Sequence, residues 1–99
     1  MFVVIWEYAV RAESKSDFEA LYGPLGAWVA LFSEYPGYLY TELMRSHETG
    51  VYLTVDRWRS EADYDAFQRA AASRYGEIDA LGDALTTEER RVGRYALSC

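Results

Sequence analysis

Three carboxylates stand in segments that are otherwise rich in apolar residues: Glu7, Glu42 and Asp56. Charges are unusual in such places unless they are paired. A buried carboxylate has its pKa raised and can act as a base. The competing reading is an ion pair, across a sheet or a dimer, with Arg45, Arg57 or Arg94. Arg57 is a candidate to steady an oxyanion. It also lies within reach of Glu7 or Glu42 in plausible registers, and an ion pair is the better reading of it. Six large rings accompany these groups: Trp6, Tyr8, Trp28, Trp58, Tyr64 and Phe67. They can wall a pocket for a flat ligand, or they can simply fill a core. The single histidine, His47, sits beside Glu48 in a turn-like stretch and reads as solvated.

No cofactor signature accompanies these groups. There is no G-x-G-x-x-G, no phosphate loop and no metal-ligand spacing. Gly23-Pro24-Leu25-Gly26 is too bound by its proline to cradle a nucleotide. The net charge of −6 argues against nucleic acid and against acidic membrane surfaces. Cys99 is the one cysteine, which makes neither an intrachain disulfide nor a metal site and suits a reducing, cytoplasmic setting. The first apolar run contains Glu7 and lacks the basic start and cleavage site of a signal peptide. No stretch approaches the ~18 apolar residues that would span a membrane.

The elements that must position these residues follow from period and punctuation. Phe2–Val10 reads as a strand whose faces are both apolar: Phe2, Val4, Trp6 and Tyr8 on one, Val3, Ile5 and Ala9 with Glu7 on the other. Ser16 and Glu19 have capping-box spacing and start a helix that carries Phe18, Leu21, Tyr22, Leu25, Val29 and Phe32. Gly23-Pro24 should kink or split it, with Pro24 in the first turn of the second piece. A kink there could also lift the helix off the sheet and leave a cavity. Tyr38–Arg45 and Val51–Arg59 form a hairpin around the turn Ser46–Gly50. A second helix begins at Ser60 with Asp63, runs along a stripe to Leu85, and has weak points at Gly76 and Gly82. Thr86–Glu89 reads as a polar connector, and Arg90–Leu97 as the last strand.

The order βαββαβ implies an α+β, ferredoxin-like domain spanning residues 1–99, a four-stranded antiparallel sheet with two helices on one face. Two helices cover one face of a sheet. The two-sided first strand therefore calls for a second copy of the chain on the other face, a homodimer. Trp6 and Tyr8 are assigned to the helix side and Glu7 to the other, so a ligand pocket should lie between sheet and helices, reached also by Tyr64 and Phe67.

Phe18, Tyr22-Gly23-Pro24-Leu25-Gly26-Ala27-Trp28, Phe32, Pro36-Gly37-Tyr38, Glu42-Leu43, Tyr52-Leu53, Arg57-Trp58-Arg59-Ser60, Tyr64 and Phe67 together resemble the antibiotic biosynthesis monooxygenase domain family. Thr86, Glu89, Arg90, Gly93, Arg94 and Tyr95 look like the closing strand of one of its branches. The resemblance implies a dimeric α+β barrel. It also implies a family that includes oxygenases using no cofactor, haem-degrading enzymes, and small accessory proteins. Haem-degrading members use an Asn on the first strand and a Trp and a His on the second helix. This chain has no Asn; the matching positions hold Trp6 and fall near Phe67 and Glu77, and its histidine is elsewhere. That argues against haem degradation by this triad. If the chain is an oxygenase, the substrate must itself give electrons to dioxygen, which suits an acidic phenol or hydroquinone of aromatic or polyketide-like type. The alternative is a non-enzymatic dimer that binds a small apolar ligand or serves as an accessory protein.

Overall fold

Alternation along β1 (Phe2–Val10) sets the two sides of the sheet. Phe2, Val4, Tyr8 and Val10 are buried on one side, while Val3, Ile5 and Ala9 are half-buried with Glu7 on the other. β1 pairs antiparallel with β3 (Val51–Trp58) and with β4 (Thr86–Ala96), and β2 (Tyr38–Arg45) flanks β3. The strand order is β2-β3-β1-β4. The structure is a computed structural model that describes residues 1–97, so the reading of Cys99 lies outside the described residues. No helix among them is long and apolar enough to cross a membrane.

Both expected helices are split. The first becomes α1 (Lys15–Tyr22) and α2 (Ala27–Phe32); the second becomes α3 (Glu61–Ala70) and α4 (Ala72–Asp83). Three local readings are corrected. Pro24 lies in the turn between α1 and α2 rather than in the first turn of α2, because Gly23 before it is extended, at φ −80° and ψ −179°. Ser14, not Ser16, is the residue preceding α1, and Glu19 accepts a hydrogen bond from the Tyr52 hydroxyl instead of closing a capping box. The second helix breaks at Ala71, not at Gly76 or Gly82. Ser60 does cap α3, accepting from the Asp63 amide at 3.2 Å. The stretch Thr86–Glu89 is strand: its backbone pairs with β1 while its side chains stay polar.

Aromatic rings join helices to sheet. Trp58 is fully buried and meets Phe32, Tyr38, Tyr64 and Phe67 at centroid distances of 5.0–5.8 Å. Phe18 stacks on Tyr22 at 4.2 Å and meets the edge of Tyr8 at 5.2 Å. The helix-free side is apolar but not continuous. Ion pairs Glu42–Arg57 and Glu7–Arg90 lie among Val3, Ile5, Leu53, Tyr40 and Met44.

The α1–α2 turn depends on Gly26. A Cβ there would sit 2.2 Å from the Leu21 carbonyl oxygen and 2.4 Å from that of Ala20. Both obstacles are backbone atoms, so the turn itself must move. Gly26→Ala should therefore destabilise the fold by about 1–3 kcal/mol. Thermal unfolding should show a fall in Tm of roughly 5 °C or more; an unchanged Tm would contradict the close approach.

Candidate functional site

A narrow cleft of about 20 Å³ opens between the sheet and the helices, room for roughly one water molecule. Strand alternation supplies its floor: Trp6 and Tyr8 from β1, Thr54 and Asp56 from β3, and Thr41 from β2 all point to the helix side. α1 and α2 contribute Tyr22, Trp28 and Phe32. α4 brings Tyr75 and Asp79, and β4 brings Glu89.

Asp56 is the chemically unusual member. It lies opposite Val4 on one side and Thr41 on the other, and is 7% exposed. Its Oδ1 accepts from the Thr41 hydroxyl at 2.8 Å, and Thr41 Oγ1 shares a further 2.8 Å hydrogen bond with the Tyr38 hydroxyl. No salt bridge to Asp56 forms among the described residues. Burial pushes its pKa up to about 6, with the Thr41 bond pulling the other way. The ion-pair reading is thus corrected for this residue; it holds for Glu42 with Arg57, while Glu7 is paired with Arg90 rather than with one of the arginines expected. Arg57, the next residue, points to the opposite side of the sheet and pairs with Glu42; Glu7 pairs with Arg90 at 3.2 Å, directly across β1 and β4. Arg94, another expected partner, binds Glu61 and Asp65 on α3 instead.

Two further groups are under-satisfied. Trp28 is 7% exposed and its Nε1–H has no hydrogen-bond partner; it lies near the Tyr22 hydroxyl but outside hydrogen-bond geometry. The Tyr8 and Thr54 hydroxyls share a long contact of 3.4 Å. Burial raises the pKa of Tyr8 and of Tyr22, so both remain neutral phenols. At the acidic end of the cleft, carboxylate oxygens of Asp79, Asp83 and Glu89 lie within 4.8 Å of one another. Burial first, and then Asp79 and Asp83, raise the Glu89 pKa to about 7; burial and Asp83 raise that of Asp79.

Of the six rings singled out in the sequence, Trp6, Tyr8 and Trp28 line this cleft. Tyr64 lies in an adjoining groove with Trp6, Tyr75, Arg91 and Arg94, and its hydroxyl accepts from Gln68 at 2.7 Å. Trp58 and Phe67 are 0% and 1% exposed and are core rather than cleft wall; Trp58 holds α3 to the sheet. Tyr22 and Tyr75 belonged to helical stripes, which mark a buried face without separating core from cleft. Asp79 and Glu89 meet through the packing of α4 on β4, and no spacing along the chain signals it.

An ionised Asp56 costs stability. The folded state holds its proton to about pH 6, the unfolded state only to about 4. Folded chains therefore bind the extra proton in that window, and stability falls as pH rises through it. Asp56→Asn has no charge to bury. It should be more stable than the parent above pH ~6 by roughly 1–3 kcal/mol, the two converging near pH ~4. Urea unfolding at a series of pH values checks this, and a difference independent of pH would contradict it.

Comparison with solved structures places this geometry among related folds. SnoaB, a cofactor-independent oxygenase from Streptomyces nogalater, is 23% identical with a TM-score of 0.74, over 99% of this chain and 93% of SnoaB. A monooxygenase from the gene ActVA-Orf6 of Streptomyces coelicolor, solved with the ligand Nanaomycin D, is 19% identical with a TM-score of 0.80, over 99% and 88%. Rv0793 from Mycobacterium tuberculosis is 20% identical with a TM-score of 0.73, over 99% and 95%. At these identities the likeness shows the fold. A search of curated proteins finds no match. The antibiotic biosynthesis monooxygenase family model matches residues 1–75, and the chain belongs to that family.

Proposed function

We propose that the cleft binds a small aromatic compound and that Asp56 takes a proton from it, so that dioxygen oxidises the resulting anion without a cofactor. The observation that carries this reading is a carboxylate buried in an aromatic cleft with no cation beside it. A carboxylate with a pKa of about 6 is ionised at neutral pH yet basic enough to share the proton of an acidic phenol or hydroquinone. The phenolate passes one electron to dioxygen, the phenoxyl radical and superoxide then combine at a ring carbon that bears hydrogen, and Asp56 returns its proton to the peroxide to give a hydroperoxide. Loss of water from that hydroperoxide leaves a carbonyl. One oxygen atom enters the product and the other leaves as water, with both reducing equivalents coming from the substrate. The description of SnoaB as cofactor-independent supports this reading, as does the ligand bound to the ActVA-Orf6 protein.

The cleft must widen to admit a ring. Trp6 is half-buried and is shared between the cleft and the adjoining groove. The same narrowness favours a second reading, a non-enzymatic member of the family that binds a small ligand or serves as an accessory protein. A hydroxyanthrone in an oxygen-electrode assay separates them. The oxidase reading expects uptake that rises with pH through about 6 and then levels off. Asp56→Asn should lower kcat by about 10²–10⁴-fold. Uptake that survives intact in this variant removes Asp56 as the base. A folded protein that binds the ring and consumes no oxygen is the non-enzymatic member.

The working unit in this proposal is a cytoplasmic homodimer joined by the helix-free sides of two sheets. The apolar Val3, Ile5 and Leu53 with exposed Tyr40 and Met44 support it. Such an interface should exceed ~1,000 Å². Light scattering should give twice the chain mass in dilute solution; a stable folded monomer would contradict it.

A further inference from the structure

We propose that the cleft selects a neutral, hydroxyl-bearing aromatic ligand and rejects aromatic carboxylates. The proposal rests on the cleft being the ligand site and specifies the ligand's charge and hydrogen-bonding groups. Among the described residues its charged lining is of one sign: Asp56, Asp79 and Glu89, with no Lys or Arg. A carboxylate entering between these groups meets like charge where burial weakens solvent screening. Two cations, Arg91 and Arg94, lie in the adjoining groove, which shares only its Trp6 and Tyr75 walls with the cleft. Arg94 is already engaged by Glu61 at 3.1 Å and Asp65 at 3.0 Å.

The unsatisfied groups identify the complementary chemistry. Trp28 offers a buried N–H with no partner. Asp56 is an acceptor whose hydrogen bond among the described residues comes from Thr41 alone. One hydroxyl group can accept from the indole and donate to a carboxylate. A carboxylate ligand can accept but has nothing to donate to Asp56, Asp79 or Glu89. An ammonium can donate but cannot accept from Trp28. An unsubstituted ring leaves the indole N–H unpaired and Asp56 with the Thr41 bond alone in a buried place, which is costly. A second hydroxyl on the ring would meet the Asp79–Glu89 end of the cleft.

A matched pair of probes tests this: a dihydroxynaphthalene, and the hydroxynaphthoate that carries a carboxylate in place of one hydroxyl. Calorimetric titration at pH ~8 keeps Glu89, with its pKa of about 7, ionised. The parent protein should bind the diol about tenfold or more tighter than the naphthoate. The Asp79→Asn/Glu89→Gln double variant should gain about tenfold in naphthoate affinity and gain nothing for the diol, whose second hydroxyl loses its charged acceptors. Trp28→Phe should weaken the diol by roughly fivefold, the worth of one hydrogen bond. Equal affinity of the two probes in the parent overturns the selection. So does naphthoate binding that the double variant leaves unchanged, or that Arg91→Gln abolishes, since the ligand then sits in the groove. If neither probe binds the folded parent or its variants, the cleft reading falls and the selection with it. Oxygen uptake alongside equal probe affinities would retire only the selection.

Discussion

Everything above the sheet depends on a layer of aromatic rings between strands and helices. Trp58 is its centre. It has no exposed surface, and rings from β1, β2, α2 and α3 reach the same cluster. Its indole N–H is buried without a partner, so packing holds it there against the cost of an unmade hydrogen bond. Large flat side chains bury much area for little rotamer entropy, which suits a domain of 99 residues with a modest core. Four short helical pieces can then be held by rings rather than by long helix–helix seams.

The same layer makes the cleft possible. One cluster gathers around Phe18, Tyr22 and Tyr8, and another around Trp58, Phe67 and Phe32. Trp28 links them, meeting Tyr22 at 6.1 Å and Phe32 at 5.7 Å. The break between α1 and α2 allows this. An unbroken helix would carry Trp28 along the axis of α1, whereas the turn at 23–26 redirects it. The cleft lies between the clusters, where the rings leave a gap, and Asp56, Thr54 and Trp28 are among the residues that line it. Packing and cleft are therefore one arrangement, and under the proposed function a ligand enters by displacing rings that also stabilise the fold.

Electrostatics divides the molecule more sharply than packing does. On the helix-free side, Glu7 and Glu42 each have an arginine. Arg94 is held between Glu61 and Asp65 and lies over the rings of Phe2 and Tyr64, fastening β4 to α3. Inside the cleft the carboxylates have no such partners, and burial raises their pKa values instead. A fold optimised for stability alone would place a neutral residue at position 56. The buried charge is thus the feature on which the proposed function of this cleft rests.

The strands, the hairpin and the two apolar sides of β1 were legible in the residues because alternation is a local property with a period of two. The placement of Trp6 and Tyr8 opposite to Glu7 follows from the same alternation. The breaks at Pro24 and Ala71 were less legible. Gly23-Pro24 announces an interruption, but whether proline falls in the helix or before it depends on the turn's backbone. Ala71 carries no local signal at all, since alanine is the best helix former. Which rings are core and which are cleft was not legible either: Trp28 and Trp58 share a residue type and a helical or strand setting, and only the gap between packed clusters separates them. The charges show the division most clearly. By itself the chain determined that Glu7, Glu42 and Asp56 lie in strands and that arginines are available to them. Tertiary structure alone decided that Asp56 has none among the described residues, because inter-strand register sets it between Val4 and Thr41 on the helix side while Arg57 points to the other, and these contacts join residues far apart in the chain.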